Sequence, residues 1–286
     1  MASRTPFPLE FRVSLPEILL LDMTKIPLAP LYEGYGQWVY TTYAALPRDL
    51  RTEMEVVLAF IIISGTFYKW LIELPEEDSI HHDYLVFVDR LRSLSEEDVR
   101  HFLRTGLEVK LSSKLEKNTE ELSLSSMDDP EAVLALLQEL DLYTDTLKAH
   151  LQESGRYKEF MDRNVELICN PARLKERLVS GVVHFWEDFY REEYESSLPV
   201  MERSVEYHRS QNYTGDFPAI FEAITGRHFP EGLYRYLPAS RAVFFPSCYS
   251  GPQVGVYIIE EQPPVVLFNY NCRPTGILKH DSDPSA

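Results

Sequence analysis

Cysteine is scarce and scattered in this chain, with Cys169, Cys248 and Cys272 the only three among 286 residues. An odd total without any CxxC pair suggests neither a disulfide framework nor a thiolate zinc site, and the thiols are expected to be buried. Positive charge is short as well, since 28 Lys and Arg stand against 45 Asp and Glu for a formal net charge of −17. A surface this acidic repels a phosphate backbone and lacks the counterion-releasing Lys/Arg stripe of a nucleic-acid binder. The chain by itself is therefore expected not to bind nucleic acid directly.

Long apolar runs are missing too. The longest, Val56 to Ser64 (VVLAFIIIS), falls well short of the roughly 18 residues of a membrane span. The opening MASRTPFPLEF has no apolar signal-peptide core. A cytoplasmic protein making no membrane contact is expected. Gly34-Tyr35-Gly36 is too short for a phosphate loop and lacks a preceding strand and a Lys-Ser/Thr pair, so no nucleotide site and no other cofactor is implied.

The apolar content is that of an ordinary globular chain, at 44%. Its distribution is uneven. Arg241 to Tyr270 (RAVFFPSCYSGPQVGVYIIEEQPPVVLFNY) crowds β-branched and aromatic residues between two turn signals, Ser250-Gly251-Pro252 and Gln262-Pro263-Pro264, which predicts three short antiparallel strands. Phe7 to Ser14 alternates apolar and polar residues and predicts a fourth strand. Between them, from Pro16 to about Thr225, the periodicity is helical. Ser14-x-x-Glu17, Pro47, Ser95-x-x-Asp98, Asp129-Pro130 and Asn170-Pro171 read as helix starts. One long helix is predicted from Asp129 to about Gln152, another from Pro171 to about Glu195, and a separate one from about Pro199 to Ser210. Val56 to Ile63 is apolar all round, as in a central helix.

The expected fold is thus mainly α (α+β). A helical body packs with a small antiparallel sheet made of the N-terminal strand and a C-terminal three-strand meander. Residues 1–272 read as one domain with any subdomain seam near 112–129, and residues 273–286 as a flexible tail or linker.

No residue earns a catalytic assignment. His184, Glu187, Asp188 and Glu192 share a helix, and His184 and Asp188 at i, i+4 can share a proton or a metal. Without an HExxH pattern or a third ligand, the polar face of an amphipathic helix is the better account, and no metal is assigned. His81-His82-Asp83 diverges around a helix and reads as surface. Ser247 and Cys248 stand at a strand end but lack the glycine-flanked nucleophile elbow and an assignable His/Asp pair. Aromatic density is more informative. Tyr35, Trp38, Tyr40 and Tyr43 form one cluster, and Phe185, Trp186, Phe189 and Tyr190 another. Facing aromatic helices can line a cavity for a small apolar or aromatic effector, with His184, Asp188 and Ser247 as polar candidates, or can simply be core.

HFWEDFYREEYESSLPVMERSVEYHRS (His184 to Ser210) and GRHFPEGLYRYLPASRAVFFPSCYSGPQVGVYI (Gly226 to Ile258), together with the opening FPLEFRVSLPEILLLDM, resemble the long upstream region of a group of bacterial ArsR-type transcriptional regulators. The resemblance implies an effector-sensing or dimerising domain, a homo-oligomer, and a winged-helix DNA-binding partner module. In such regulators the winged helix follows this region, whereas only thirteen residues follow Arg273 here. The arsenic-sensing cysteine motif of the simplest members has no counterpart. On this reading the sheet reports the state of the helical body, and changes at Gly251 or Gly255 are expected to abolish the response while keeping the fold.

Overall fold

A computed structural model describes residues 9–115, 127–236, 241–251, 254–259 and 265–272. The first residues of the expected N-terminal strand, most of the polar stretch 112–129 and the tail 273–286 lie outside the described residues. The chain divides into two compact units. One comprises residues 15–33 and 37–190; the other comprises residues 1–14, 34–36 and 191–286. The division does not fall at 112–129.

The first unit is helical: α1 (Leu15–Leu28), α2 (Gln37–Ala45), α3 (Arg48–Ile63), α4 (Gly65–Glu73), α5 (Tyr84–Ser93), α6 (Glu96–Leu115), α7 (Pro130–Leu140), α8 (Asp145–Glu153), α9 (Tyr157–Cys169) and α10 (Pro171–Phe185), then a π-helical turn, Trp186–Tyr190. Local chemistry sets half of the starts. The Asp83, Asp129, Thr144 and Asn170 side chains each accept a backbone N–H of the following first turn. Asp98 accepts from the Ser95 amide at 2.7 Å while its own amide donates to the Ser95 hydroxyl at 3.1 Å, the reciprocal cap expected from the sequence.

Two helices are central. Every residue of α1 from Leu15 to Ile26 is buried, as are Met54 to Ile61 of α3, which packs against it. α6 approaches the end of α3 so closely that a Cβ at Gly106 would lie 2.1 Å from the Ile63 carbonyl oxygen. No single helix among the described residues is long and apolar enough to cross a membrane.

Two helix boundaries differ from the sequence reading. The helix expected from Asp129 to Gln152 is broken, because Asp141 turns left-handed (φ 50°) and ends α7 before Thr144 caps α8. An acidic residue tolerates that conformation better than a branched one. The break lets Tyr143 drop into the core, edge-on to Phe160 at 5.0 Å and accepting a hydrogen bond from Asn164 at 3.0 Å. Beyond α10, the extra residue of the π turn rotates both Trp186 and Tyr190 inward. Trp186 stacks on Tyr84 at 4.4 Å, and Tyr190 donates to Asp22 at 2.5 Å.

The second unit holds β1 (Leu9–Phe11), α11 (Arg191–Ser210), α12 (Phe217–Thr225), β2 (Arg241–Ser247), β3 (Gly255–Ile259) and β4 (Val265–Asn271). Pro199, expected to open a helix, lies inside α11. The sheet order is β1-β2-β4-β3, and the antiparallel meander is corrected: β1 with β2 and β2 with β4 are parallel, and only β3 with β4 is antiparallel. Burial explains the arrangement. Six of seven residues are buried in both β2 and β4, while β3 is half-exposed along most of its length. Strands covered on both faces take the inner positions, and the wetter one becomes an edge. Turn signals specify a chain reversal but not which strand fills the neighbouring place, so β4 enters between β2 and β3.

Aromatic stacking ties this sheet together. Phe244 stacks on Phe268 at 4.9 Å and on Phe11 at 5.3 Å, and Phe221 of α12 meets Phe268 edge-on at 5.1 Å. Residues 34–36 pass beside the loop after β2, where the Gly36 amide donates to the Tyr249 carbonyl at 2.8 Å. Gly251 has φ +56°, and a Cβ there would lie 1.6 Å from the Gly34 carbonyl oxygen. A side chain at Gly251 must therefore disturb the fold itself, contrary to the expectation from sequence.

Candidate ligand cavity

The helical unit contains a cavity of about 220 Å³. Helical spacing builds one wall: Arg48, Arg51, Glu55 and Leu58 lie three or four residues apart on one face of α3. Ile26 and Pro27 close it at the end of α1, and Tyr43 on α2 adds an aromatic side. The broken helix supplies the facing wall. Because α8 starts afresh at Asp145, its Leu147, His150 and Leu151 turn toward the cavity, followed by Arg156 from the connecting turn and Phe160 from α9.

The polar groups of this lining are partly fixed in advance. The Arg51 Nε donates to the Leu46 carbonyl at 2.9 Å, and its guanidinium lies 4.9 Å from the centre of the Tyr43 ring, a cation–π arrangement. Glu55 accepts from Arg156 and from the buried Arg163, each at 2.6 Å. Its charge is thereby spent on two guanidiniums. Arg48 is exposed and makes no side-chain hydrogen bond or ion pair among the described residues, and the His150 ring makes none either. Among the described residues, no serine, threonine, cysteine, lysine or aspartate lines the space.

The aromatic residues expected at a pocket are distributed differently. Trp38 lies 6.1 Å from Phe185 and 5.6 Å from Tyr190, and Phe185 stacks with Tyr190 at 5.5 Å and with Phe189 at 6.5 Å. Phe185, Trp186 and Tyr190 are buried, so these rings fill the space between them. Tyr40 donates to the Tyr32 carbonyl at 2.9 Å, and Tyr35 belongs to the strand-bearing unit. Of the aromatic candidates, Tyr43 lines the cavity.

The polar candidates have the following surroundings. His184 is exposed beside the Ser180 hydroxyl at 3.3 Å, and Asp188 is exposed in the π turn. Ser247, in the other unit, is fully buried and accepts the Tyr249 amide at 3.1 Å, the role of a turn-capping hydroxyl. Among the described residues, no three His, Cys, Asp or Glu side chains are grouped so as to hold a metal ion.

Two features escaped the sequence reading. The arginines of the cavity are ordinary surface letters until α1, α2, α8 and α9 assemble around α3; the only local hint was Arg48-x-x-Arg51 in a chain poor in basic residues. Cys248 and Cys272, widely separated in sequence, lie with sulfurs 3.3 Å apart just beyond the paired ends of β2 and β4. Only the parallel register brings them together.

Compared with family models, with curated proteins and with solved structures, the chain has no match.

Proposed function

We propose that this chain is the effector-sensing regulatory domain of an ArsR-like transcriptional regulator, acting on a winged-helix DNA-binding module that is fused or separately encoded and making no direct contact with DNA. The observation that carries the sensing part is the cavity of about 220 Å³, formed by segments of five helices and lined by arginines and apolar side chains. Such a lining holds a ligand without converting it. Among the described residues, no serine, threonine, cysteine or lysine lines it, and Glu55 is engaged by two guanidiniums. The formal charge of −17 and the resemblance in residues 184–258 support the regulatory part. Coupling requires only that the ligand favour one arrangement of the domain, in an oligomer, over another.

The enzyme reading has less support, since His184 and Asp188 are both exposed and Ser247 is buried and caps a turn through the Tyr249 amide. The test is a thermal-shift screen of the full chain against a metabolite set covering anionic, neutral and cationic compounds, alongside a gel shift on its own promoter at physiological salt. A ligand that stabilises the wild type but not Leu151→Trp, which fills the cavity, is expected, together with no DNA shift. Tight sequence-specific DNA binding, or a complete absence of stabilising compounds of any charge, would overturn the proposal.

A further inference from the structure

From the charge and shape of the cavity, we infer that its ligand is a small organic anion, a carboxylate or phosphate carried on a compact apolar body. This inference rests on the sensing proposal and names the chemistry of the same site. Three arginines, Arg48, Arg51 and Arg156, line a single space in a chain with 17 more acidic than basic residues. One glutamate, Glu55, faces them, and it is shared with Arg163 outside the lining. The cavity therefore keeps an excess of positive charge that nothing within it neutralises.

The guanidiniums differ in readiness. Arg51 is held in place by the Leu46 carbonyl and the Tyr43 ring before any ligand arrives. A pre-placed planar fork loses little freedom when it closes on a carboxylate or phosphate. Arg48, three residues away on the same face and free of partners among the described residues, can close from the rim as the second donor. A paired anionic head would take a bidentate contact from such a pair.

The opposite side is apolar. Ile26, Leu58, Leu147, Leu151 and Phe160 are all buried side chains that reach the cavity. A space near 150 Å³ holds a benzene ring, so about 220 Å³ accommodates one ring or a short aliphatic chain together with its charged head. A nucleotide is too large for it. A cation meets three guanidiniums against one carboxylate that is already engaged, and inorganic phosphate leaves the apolar wall uncovered.

Isothermal titration of the full chain with phenylacetate, hexanoate and phenyl phosphate tests this, with phenylacetamide as the neutral counterpart and inorganic phosphate as the bare head. At least one of the three amphipathic anions is expected to bind at least tenfold more tightly than both phenylacetamide and inorganic phosphate. Arg51→Gln is expected to weaken that binding at least tenfold and Arg48→Gln severalfold, with Arg104→Gln on exposed α6 surface as the unchanged control. Arg48 has no partner to lose, so its variant keeps the fold even if Arg51→Gln does not. Binding of phenylacetamide as tight as phenylacetate, anion binding indifferent to both arginine variants, or no binding by any of the three anions would overturn the anionic class. The sensing proposal would survive those results if a neutral or cationic compound stabilised the chain in the broader screen, and would fall with them if none did.

Discussion

Among the described residues, every buried Asp, Glu, Lys or Arg side chain, namely Glu17, Asp22, Lys25, Glu55 and Arg163, belongs to the helical unit. The strand-bearing unit buries Ser14, Ser197, Ser204, His208, Ser247, Ser250 and Asn269 instead. The difference follows from what each scaffold offers a polar group. A helix satisfies its own backbone, so its buried side chains are free to pair with one another: Lys25 bonds Asp22 one turn away, and the same aspartate receives the Tyr190 hydroxyl. A sheet with strand-end loops has backbone groups to satisfy, and hydroxyls and amides serve them. Ser250 donates to Asn269 at 2.8 Å, Asn269 donates to the Phe245 carbonyl at 3.3 Å, and Ser204 shares a hydrogen bond with Tyr270 at 2.9 Å. Charge in the helical unit is thus tightly committed, which makes the surplus of guanidinium at the cavity the more conspicuous.

If buried charge is the distinguishing feature, breaking one pair should have the largest effect. Asp22→Ala takes the carboxylate from Lys25 and Tyr190 at once and should destabilise the chain by about 3–5 kcal/mol in urea unfolding. Asp22→Asn combined with Lys25→Met removes both charges yet keeps an acceptor for Tyr190, and most of that loss should be recovered. A double variant as unstable as the single one would mean that packing, not charge, is responsible.

In the strand-bearing unit the vulnerable point is steric. Gly251→Ala must push back the Gly34 carbonyl and adopt a left-handed conformation, at about 2–3 kcal/mol. Gly255→Ala meets only side-chain atoms, at 3.3 Å, and should cost less than about 1 kcal/mol. Equal losses at the two glycines would show that the approach of residues 34–36 is not what holds this loop.

The smallest effect concerns pH and belongs to the neutral unit. His208 packs between Phe11, Tyr213 and Tyr270, and burial pushes its imidazole down to about 4 from an ordinary 6.5. Unfolding therefore takes up a proton between those two values. The contribution is full above about pH 6.5 and fades as pH falls toward 4. Between pH 7.5 and pH 5 the wild type should lose about 1–2 kcal/mol more than His208→Gln in urea titrations. Parallel pH curves for the two proteins would show that His208 protonates as readily folded as unfolded.

Much of this organisation could be read from local sequence, and the reason is physical. Helix starts at Ser95, Asp129 and Asn170, the all-round apolar face of α3 and the strand character of 241–270 depend on interactions a few residues long. The sheet order was beyond reach because any antiparallel or parallel partner satisfies the same alternation, and burial of β2 and β4 on both faces decides between them. The cavity was hidden for a related reason. Arg48, Arg51, Leu151 and Arg156 look like unremarkable helix and turn residues, and they become one site because Asp141 breaks a helix and swings α8 onto α3.

By itself, then, the sequence determined which segments are helical or extended, where several helices begin, and a formal net charge of −17. Only tertiary packing decided that the sheet is mostly parallel, that the Cys248 and Cys272 sulfurs meet, and that scattered arginines share one cavity. Each of those outcomes rests on contacts between residues far apart in the chain, and no local propensity encodes such distances.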